Sequence, residues 1–294
     1  MNEKFLADLR TSALGVEAVI NQVVLGQSEV VRQCLIAIVS RGHVLLEGDV
    51  GVGKTTLLRA FARALGGGFS RIEGSIDMTP ADLVYHTYID SNGRPKVENG
   101  PLLAHGKELS VFFFNEINRA RPQVQALLLR AMTENRINAF NTDHELPYMI
   151  AFADRNRVEK GETFELAAAT RDRFMMEITV SIPQDPKERR ALLFDTAFHD
   201  VDSLISKIVP ASLPFASLPQ ASAQIQDAVR ASDAISDYAV NLMDATHRPA
   251  QFGIKLEDVD NSDLIDAGAS PRGMSLLLRA ARTRAFLQER DYLT

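Results

Sequence analysis

The sequence is poor in cysteine. Cys34 is the only one among 294 residues, so no internal disulfide can form. That usage fits a reducing compartment, and Cys34, set among Val30, Val31, Leu35 and Ile36, reads as a small core residue. No apolar run reaches the roughly 18 residues that a bilayer-spanning helix needs. The first ten residues carry charges where a secretion signal needs an apolar core. The expectation is a cytoplasmic protein with no membrane insertion. Basic residues are outnumbered, 32 against 38 acidic ones, for a net charge of −6. That argues against a generic nucleic-acid binder, whose affinity rests on neutralising phosphates. Six histidines are present (His43, His86, His105, His144, His199 and His247), and none stands at metal-ligand spacing from another His, Cys or acid. There is no Gly-x-Ser-x-Gly elbow of the hydrolase type.

What is present describes a folded chain: 46% of residues are hydrophobic and 24% charged, which excludes disorder and collagen-like repeats. The length suits about two domains. Apolar strand-like runs alternate with amphipathic helices over the first 180 residues or so. His43–Glu47, Phe69–Glu73, Leu109–Phe114, Tyr148–Ala153 and Phe174–Val180 read as five strands. Leu57, Leu58, Phe61, Ala62 and Leu65 recur at helical spacing before Gly66, and Pro122 opens a second such helix. Strand–helix alternation predicts a parallel sheet flanked by helices. Asn92-Gly93 signals a hairpin, and a second excursion covers 136–146, with a turn near Asn141-Thr142-Asp143. From Ile182-Pro183 onward the patterns are helical, so a boundary near residue 183 separates an α/β domain (1–183) from a smaller all-helical one (184–294). The stretch from Pro210 to Pro219 reads as a loop or linker.

Gly48-Asp49-Val50-Gly51-Val52-Gly53-Lys54-Thr55 matches the phosphate-binding pattern G-x-x-x-x-G-K-[ST] in full, between a strand and a helix. The glycines let successive N–H groups turn inward around phosphate oxygens, and the helix that begins there, with Thr56 in its first turn, aims its positive end at the same charge. Lys54 reaches the β- and γ-phosphates, and Thr55 can ligate Mg²⁺. The ligand predicted is ATP with Mg²⁺. Phe112-Phe113-Phe114-Asn115-Glu116 is an apolar strand ending in polar residues, the Walker B arrangement. Glu116 is the candidate base that polarises water. Asn115 stands where an Asp normally holds the Mg²⁺ shell. A charge-assisted hydrogen bond is about twice as strong as a neutral one, so this change predicts slow turnover, by about 1–2 kcal/mol in the barrier.

Glu116-Ile117-Asn118-Arg119-Ala120, Arg171-Asp172-Arg173-Phe174 and Gly268-Ala269-Ser270-Pro271-Arg272, in this order, resemble the signatures of the MoxR-type AAA+ ATPases. The similarity runs from about Val24 to Thr294. It implies an αβα nucleotide-binding domain with a parallel five-stranded sheet and an all-helical C-terminal lid. It implies ring assembly, usually a hexamer, with ATP at each interface. Residues 75–100 would be the helix-2 insert and residues 136–146 the hairpin before sensor 1. Arg173 matches the arginine finger, Arg171 being a second candidate, and Arg272 matches the sensor-2 arginine that the lid carries onto the nucleotide. The resemblance also implies a partner with a von Willebrand factor A domain and a client protein, methanol dehydrogenase in the founding setting.

Sensor 1 departs from the family pattern. Ala151-Phe152-Ala153-Asp154-Arg155-Asn156 puts Asp154 where an Asn is usual, with Asn156 as the alternative polar group and Arg155 as a candidate for compensating the added charge. Positions 115 and 154 have thus exchanged amide and acid, which keeps the local charge. The chain stops at Asp291-Tyr292-Leu293-Thr294, where the family continues into another helical stretch. Two further readings stand beside a remodelling ATPase: a nucleotide-gated oligomeric scaffold with little hydrolysis, and the motor subunit of a metal chelatase.

Overall fold

The computed structural model describes residues 3–156, 164–254 and 268–294. Two helices open the chain, α1 (Glu3–Val23) and α2 (Ser28–Val39). They are followed by β1 (Val44–Glu47), α3 (Lys54–Leu65), β2 (Gly68–Glu73) and α4 (Pro80–Val84). A first hairpin, β3 (Tyr85–Ile89) with β4 (Pro95–Asn99), precedes β5 (Leu109–Asn115) and α5 (Pro122–Glu134). A second, β6 (Arg136–Ala139) with β7 (Thr142–Glu145), precedes β8 (Ile150–Arg155), α6 (Ala168–Arg171) and β9 (Met176–Thr179). Then come α7 (Pro186–Phe194), α8 (Val201–Ser206), α9 (Leu218–Ala228), α10 (Asp233–His247) and a C-terminal helix, Pro271–Leu287.

The central sheet has five strands in the order β2-β5-β8-β1-β9, every pair parallel. β5 lies inside it, and Leu109 through Phe114 are all buried, as an apolar run covered on both faces requires. Strand alternation sends Val44, Leu46, Phe113, Phe152 and Ile178 to a face covered by α1, α2 and α3. It sends Leu45, Phe112, Phe114, Ala151 and Ala153 to the face covered by α4 and α5. Parallel pairing sets all strand C-termini at one end, and the phosphate loop follows β1 there.

The change of character after Val180 is real, since the described residues beyond it form helices and one isolated bridge, Arg230 to Tyr292. Packing nevertheless crosses residue 183. Leu6, Leu9 and Ile20 of α1 share one core with Leu218 and Ile225 of α9 and with Phe286 of the C-terminal helix. The first two helices thus face both halves of the chain. The stretch 210–219 is not linker throughout. A 3-10 turn forms at Phe215–Ser217, and Pro219 opens α9, a position where its missing N–H costs nothing.

Both hairpins form. In the first, Asp90 Oδ1 accepts from the N–H groups of Asn92 and Arg94, each at 2.9 Å, which fixes the Asn-Gly turn. In the second, the turn falls on Phe140-Asn141, one residue earlier than expected, with φ of 52° and 57°. The Phe140 ring packs on Tyr85 at 4.8 Å between centroids, so the two excursions touch. Positive φ at both central residues is what a two-residue hairpin turn requires, and the ring contact adds packing to it. No helix among the described residues is long and apolar enough to cross a membrane.

Candidate nucleotide site

The loop between β1 and α3 is built on close approach and left-handed backbone. A Cβ on Gly48 would lie 2.3 Å from the Val180 carbonyl oxygen, so only glycine lets the chain just after β9 pass there. Gly53 starts α3 at φ 93°, a conformation that L side chains rarely adopt. Among the described residues, the N–H groups of 49–53 donate to no backbone carbonyl, and Val50 at the tip is 78% exposed. An open loop of unspent donors at a helix N-terminus is what a polyphosphate needs.

Lys54, the first residue of α3, is buried, and three oxygens surround its ammonium. It donates to Gly48 O at 2.6 Å and to Asn156 Oδ1 at 3.1 Å, and it pairs with Asp154 Oδ2 at 3.0 Å. Asp154 is 1% exposed, and its other oxygen accepts from the Glu116 N–H at 2.5 Å. Asn156 turns its amide nitrogen to Glu116 Oε1 at 3.2 Å. Lys54, Asp154, Asn156 and Glu116 are therefore one connected cluster at the C-terminal end of the sheet. Asp154 and Asn156, read from sequence as alternatives, are both in it. The Asp154 charge is met by Lys54. It is not met by Arg155, which the sheet register sends to the opposite face, where it binds Glu177 and lies 3.7 Å from Glu47. That expectation of Arg155 is corrected.

Glu116 has φ 55°, directly after β5, and begins a 3-10 turn over Ile117–Arg119. The turn folds Arg119 back, so its Nε lies 3.0 Å from Glu116 Oε2. The sequence motif alone does not link Arg119 to Glu116; their i,i+3 spacing is the signal available for that pair. Asn115 Oδ1 and the Thr55 hydroxyl have no side-chain partner among the described residues. Oxygens left over beside a phosphate cradle fit Mg²⁺ and its water shell. The donor set thus fits Mg-ATP.

The three arginine candidates lie elsewhere. Met175 N–H bonds His43 O at 2.8 Å at the start of β1, whereas Val180 N–H bonds Glu47 O at its end. Arg171, Asp172 and Arg173 precede Met175, so they sit at the strands' N-terminal end. At about 3.3 Å per residue, that end is about 16 Å from the loop. Arg173 is held there by Ala169 O at 2.6 Å and Thr133 Oγ1 at 3.2 Å, and Arg171 reaches Glu177 at 2.8 Å. Arg272 joins them, because its Nη1 lies 3.4 Å from Asp172 Oδ2 while Ser270 donates to Asp172 Oδ1 at 2.5 Å. Within one chain Arg272 is therefore with Asp172 and away from the phosphate loop, at variance with a lid that carries it onto its own nucleotide. Ser270 also caps the C-terminal helix by accepting from the Gly273 N–H.

Comparison with known proteins places the chain in a family. Residues 43–176 match the ATPase family associated with various cellular activities, and residues 258–294 match an AAA lid domain. Protein MoxR of Methylorubrum extorquens is 53% identical over 99% of this chain and 85% of its own length. Protein MoxR of Paracoccus denitrificans is 52% identical over 94% and 81%. Chaperone MoxR1 of Mycobacterium tuberculosis is 32% identical over 93% and 69%. A solved structure from Cytophaga hutchinsonii superposes with a TM-score of 0.84 at 27% identity, covering 99% of this chain and 84% of that one. With a complete phosphate loop, a Walker B glutamate and full-length likeness to MoxR proteins, the chain belongs to the MoxR family of AAA+ ATPases.

Proposed function

We propose that this chain binds and hydrolyses Mg-ATP at the interfaces of a ring, hexameric as in the family it belongs to. The observation that carries the reading is the separation of Arg173 from Lys54 and Glu116. The loop that binds phosphate and the base that orients water are at one end of the sheet, and the arginine suited to transition-state charge is at the other. A working site then needs the loop of one copy and the arginine of the next, and Arg272, paired beside Arg173, serves that same neighbouring nucleotide. Lys54 and the loop N–H groups bind the phosphates. Thr55 and Asn115 hold Mg²⁺ and its water, and the metal neutralises charge on the β- and γ-oxygens. Glu116 orients the attacking water, with Asn156 holding its carboxylate. Asp154 supplies the acid that position 115 lacks, and the boundary near residue 183 separates the nucleotide domain from the lid.

Mixing two inactive variants tests the shared site. Glu116→Gln and Arg173→Ala are each expected to lose turnover. Mixed in equal amounts, about a quarter of the interfaces regain both intact groups. Recovered turnover supports the reading, and a mixture as inactive as its components contradicts it.

The turnover drives remodelling of a client, or insertion of a metal or cofactor into it, in the cytoplasm. It does so with a von Willebrand factor A-domain partner, and methanol dehydrogenase maturation is the setting that the family resemblance implies. One observation favours a second reading, a nucleotide-gated scaffold that barely hydrolyses. Asp154 already pairs with Lys54, so it competes with the γ-phosphate for that cation. Binding without turnover at any protein concentration, with the partner added, would select the scaffold.

A further inference from the structure

A second concentration of positive charge lies at the N-terminal end of the sheet, and the ATPase reading makes no use of it. Arg41, in the turn between α2 and β1, and Arg279, on the C-terminal helix, line one surface pocket of about 510 Å³ together with Pro147, Tyr148, Pro219 and Ser222. Neither arginine pairs with an acid among the described residues. Backbone carbonyls orient both instead. Arg41 Nη2 donates to Pro147 O at 2.6 Å, and Arg279 Nη2 donates to Ser40 O. Arg41 Nη1 is buried with no acceptor among the described residues, and the φ of 57° at Arg41 is the left-handed helix end that closes α2, where Gly42 N–H bonds Ala37 O and Arg41 N–H bonds Ile38 O. The Ser222 hydroxyl is likewise without a partner among the described residues.

We propose that this pocket is a binding site for a phosphate dianion, free or as a phosphate monoester, distinct from the nucleotide loop. Two guanidinium groups held side by side without a counter-ion repel each other. A bound anion turns that repulsion into charge-assisted, bidentate contacts. Phosphate carries about 1.5 to 2 negative charges near neutral pH and so comes close to matching the pair, where a single carboxylate matches half of it. The carbonyl bonds leave part of each planar fork free, and Ser222 adds a neutral donor. Neighbouring groups register the same field. Each arginine is shifted down from its ordinary value, first by burial, and Arg41 also by Arg279. A ligand held by both would tie the C-terminal helix to the turn that leads into β1.

Calorimetric titration of the full chain with inorganic phosphate tests the site, with the nucleotide loop saturated by a non-hydrolysable ATP analogue and Mg²⁺. Glycerol phosphate serves as the monoester probe and succinate as the carboxylate probe. Saturable phosphate binding is expected, weakened at least about tenfold in Arg279→Gln and also weakened in Ser222→Ala, the milder change should the arginine variant fold poorly. If glycerol phosphate binds more tightly than phosphate, the ligand is a monoester; if it is excluded, the free ion. In phosphate-free buffer, Arg279→Gln is expected to keep or raise the melting midpoint, because it relieves the repulsion. A purely structural arginine would instead lower the midpoint and leave any phosphate heat unchanged. Absence of saturable binding, equal affinity in the variants, or tighter binding of succinate than phosphate would overturn the assignment.

Discussion

The two ends of the central sheet carry opposite solutions to the same electrostatic problem. At the C-terminal end the buried cation, Lys54, is ringed by Asp154, Asn156 and the Gly48 carbonyl. At the N-terminal end Arg41 and Arg279 have carbonyls but no acid, and Arg173 is anchored to a carbonyl and a hydroxyl. Arg171 and Arg272 at that end do pair with Glu177 and Asp172, so the guanidinium groups left without an acid among the described residues are those of Arg41, Arg279 and Arg173. On the proposed reading, the difference teaches that the chemistry is divided, with half of each site offered outward.

Breaking the outward half is expected to have the largest effect. Arg173→Ala should lower turnover by about 10³–10⁵-fold while nucleotide binding by dilute protein stays intact, which steady-state hydrolysis beside fluorescent-nucleotide binding would check. Normal turnover in that variant would refute its role at the neighbour's site. Breaking the inward half comes next: Glu116→Gln should cost about 10²–10⁴-fold in rate with binding retained.

A pH prediction sharpens the comparison at the arginine end. His43 is partly buried between the ends of β1 and β8. Its Nδ1 accepts from the Ala151 N–H at 3.0 Å, and its Nε2 faces Met132 O at 3.2 Å. Burial, followed by the charges of Arg41 and Arg279, pushes its pKa down to about 4. The folded state therefore stays neutral where the unfolded chain takes up a proton, near pH 6.5. Stability is complete above about pH 6.5 and declines as pH falls toward 4, by about 3 kcal/mol in all. Chemical denaturation across that range should show the slope, and His43→Gln should flatten it.

The smallest expected effect is at Asn115. If acid and amide have exchanged places with position 154, Asn115→Asp adds a second acid next to Lys54 and Asp154, and turnover should fall by about tenfold, or 1–2 kcal/mol. A strong gain in the single variant would refute the exchange, and the Asn115→Asp, Asp154→Asn double variant should recover what the single one loses.

Much of this was legible in the sequence. The five strands, the phosphate loop and both hairpins follow from local patterns: apolar runs, helical spacing and turn residues report on backbone conformation directly. The parts that were not legible depend on contacts distant in sequence. The role of Arg155 turned on which sheet face its register gave it. The Phe140 ring in the turn packs on Tyr85, more than fifty residues away in the chain. The first two helices carry no motif, yet they supply the core shared by both halves. Arg272 was assigned by likeness alone, and only the Asp172 pairing puts it beside Arg173. The same limit applied to Arg41 and Arg279, since nothing at either position predicts that they line one pocket.

ATP turnover per subunit, measured against protein concentration with Mg²⁺ and beside Glu116→Gln, tests the divided site most directly. A rate that rises with concentration and vanishes in the variant is the predicted result. A rate per subunit that is constant down to the most dilute protein, or that survives the loss of Glu116, would contradict it.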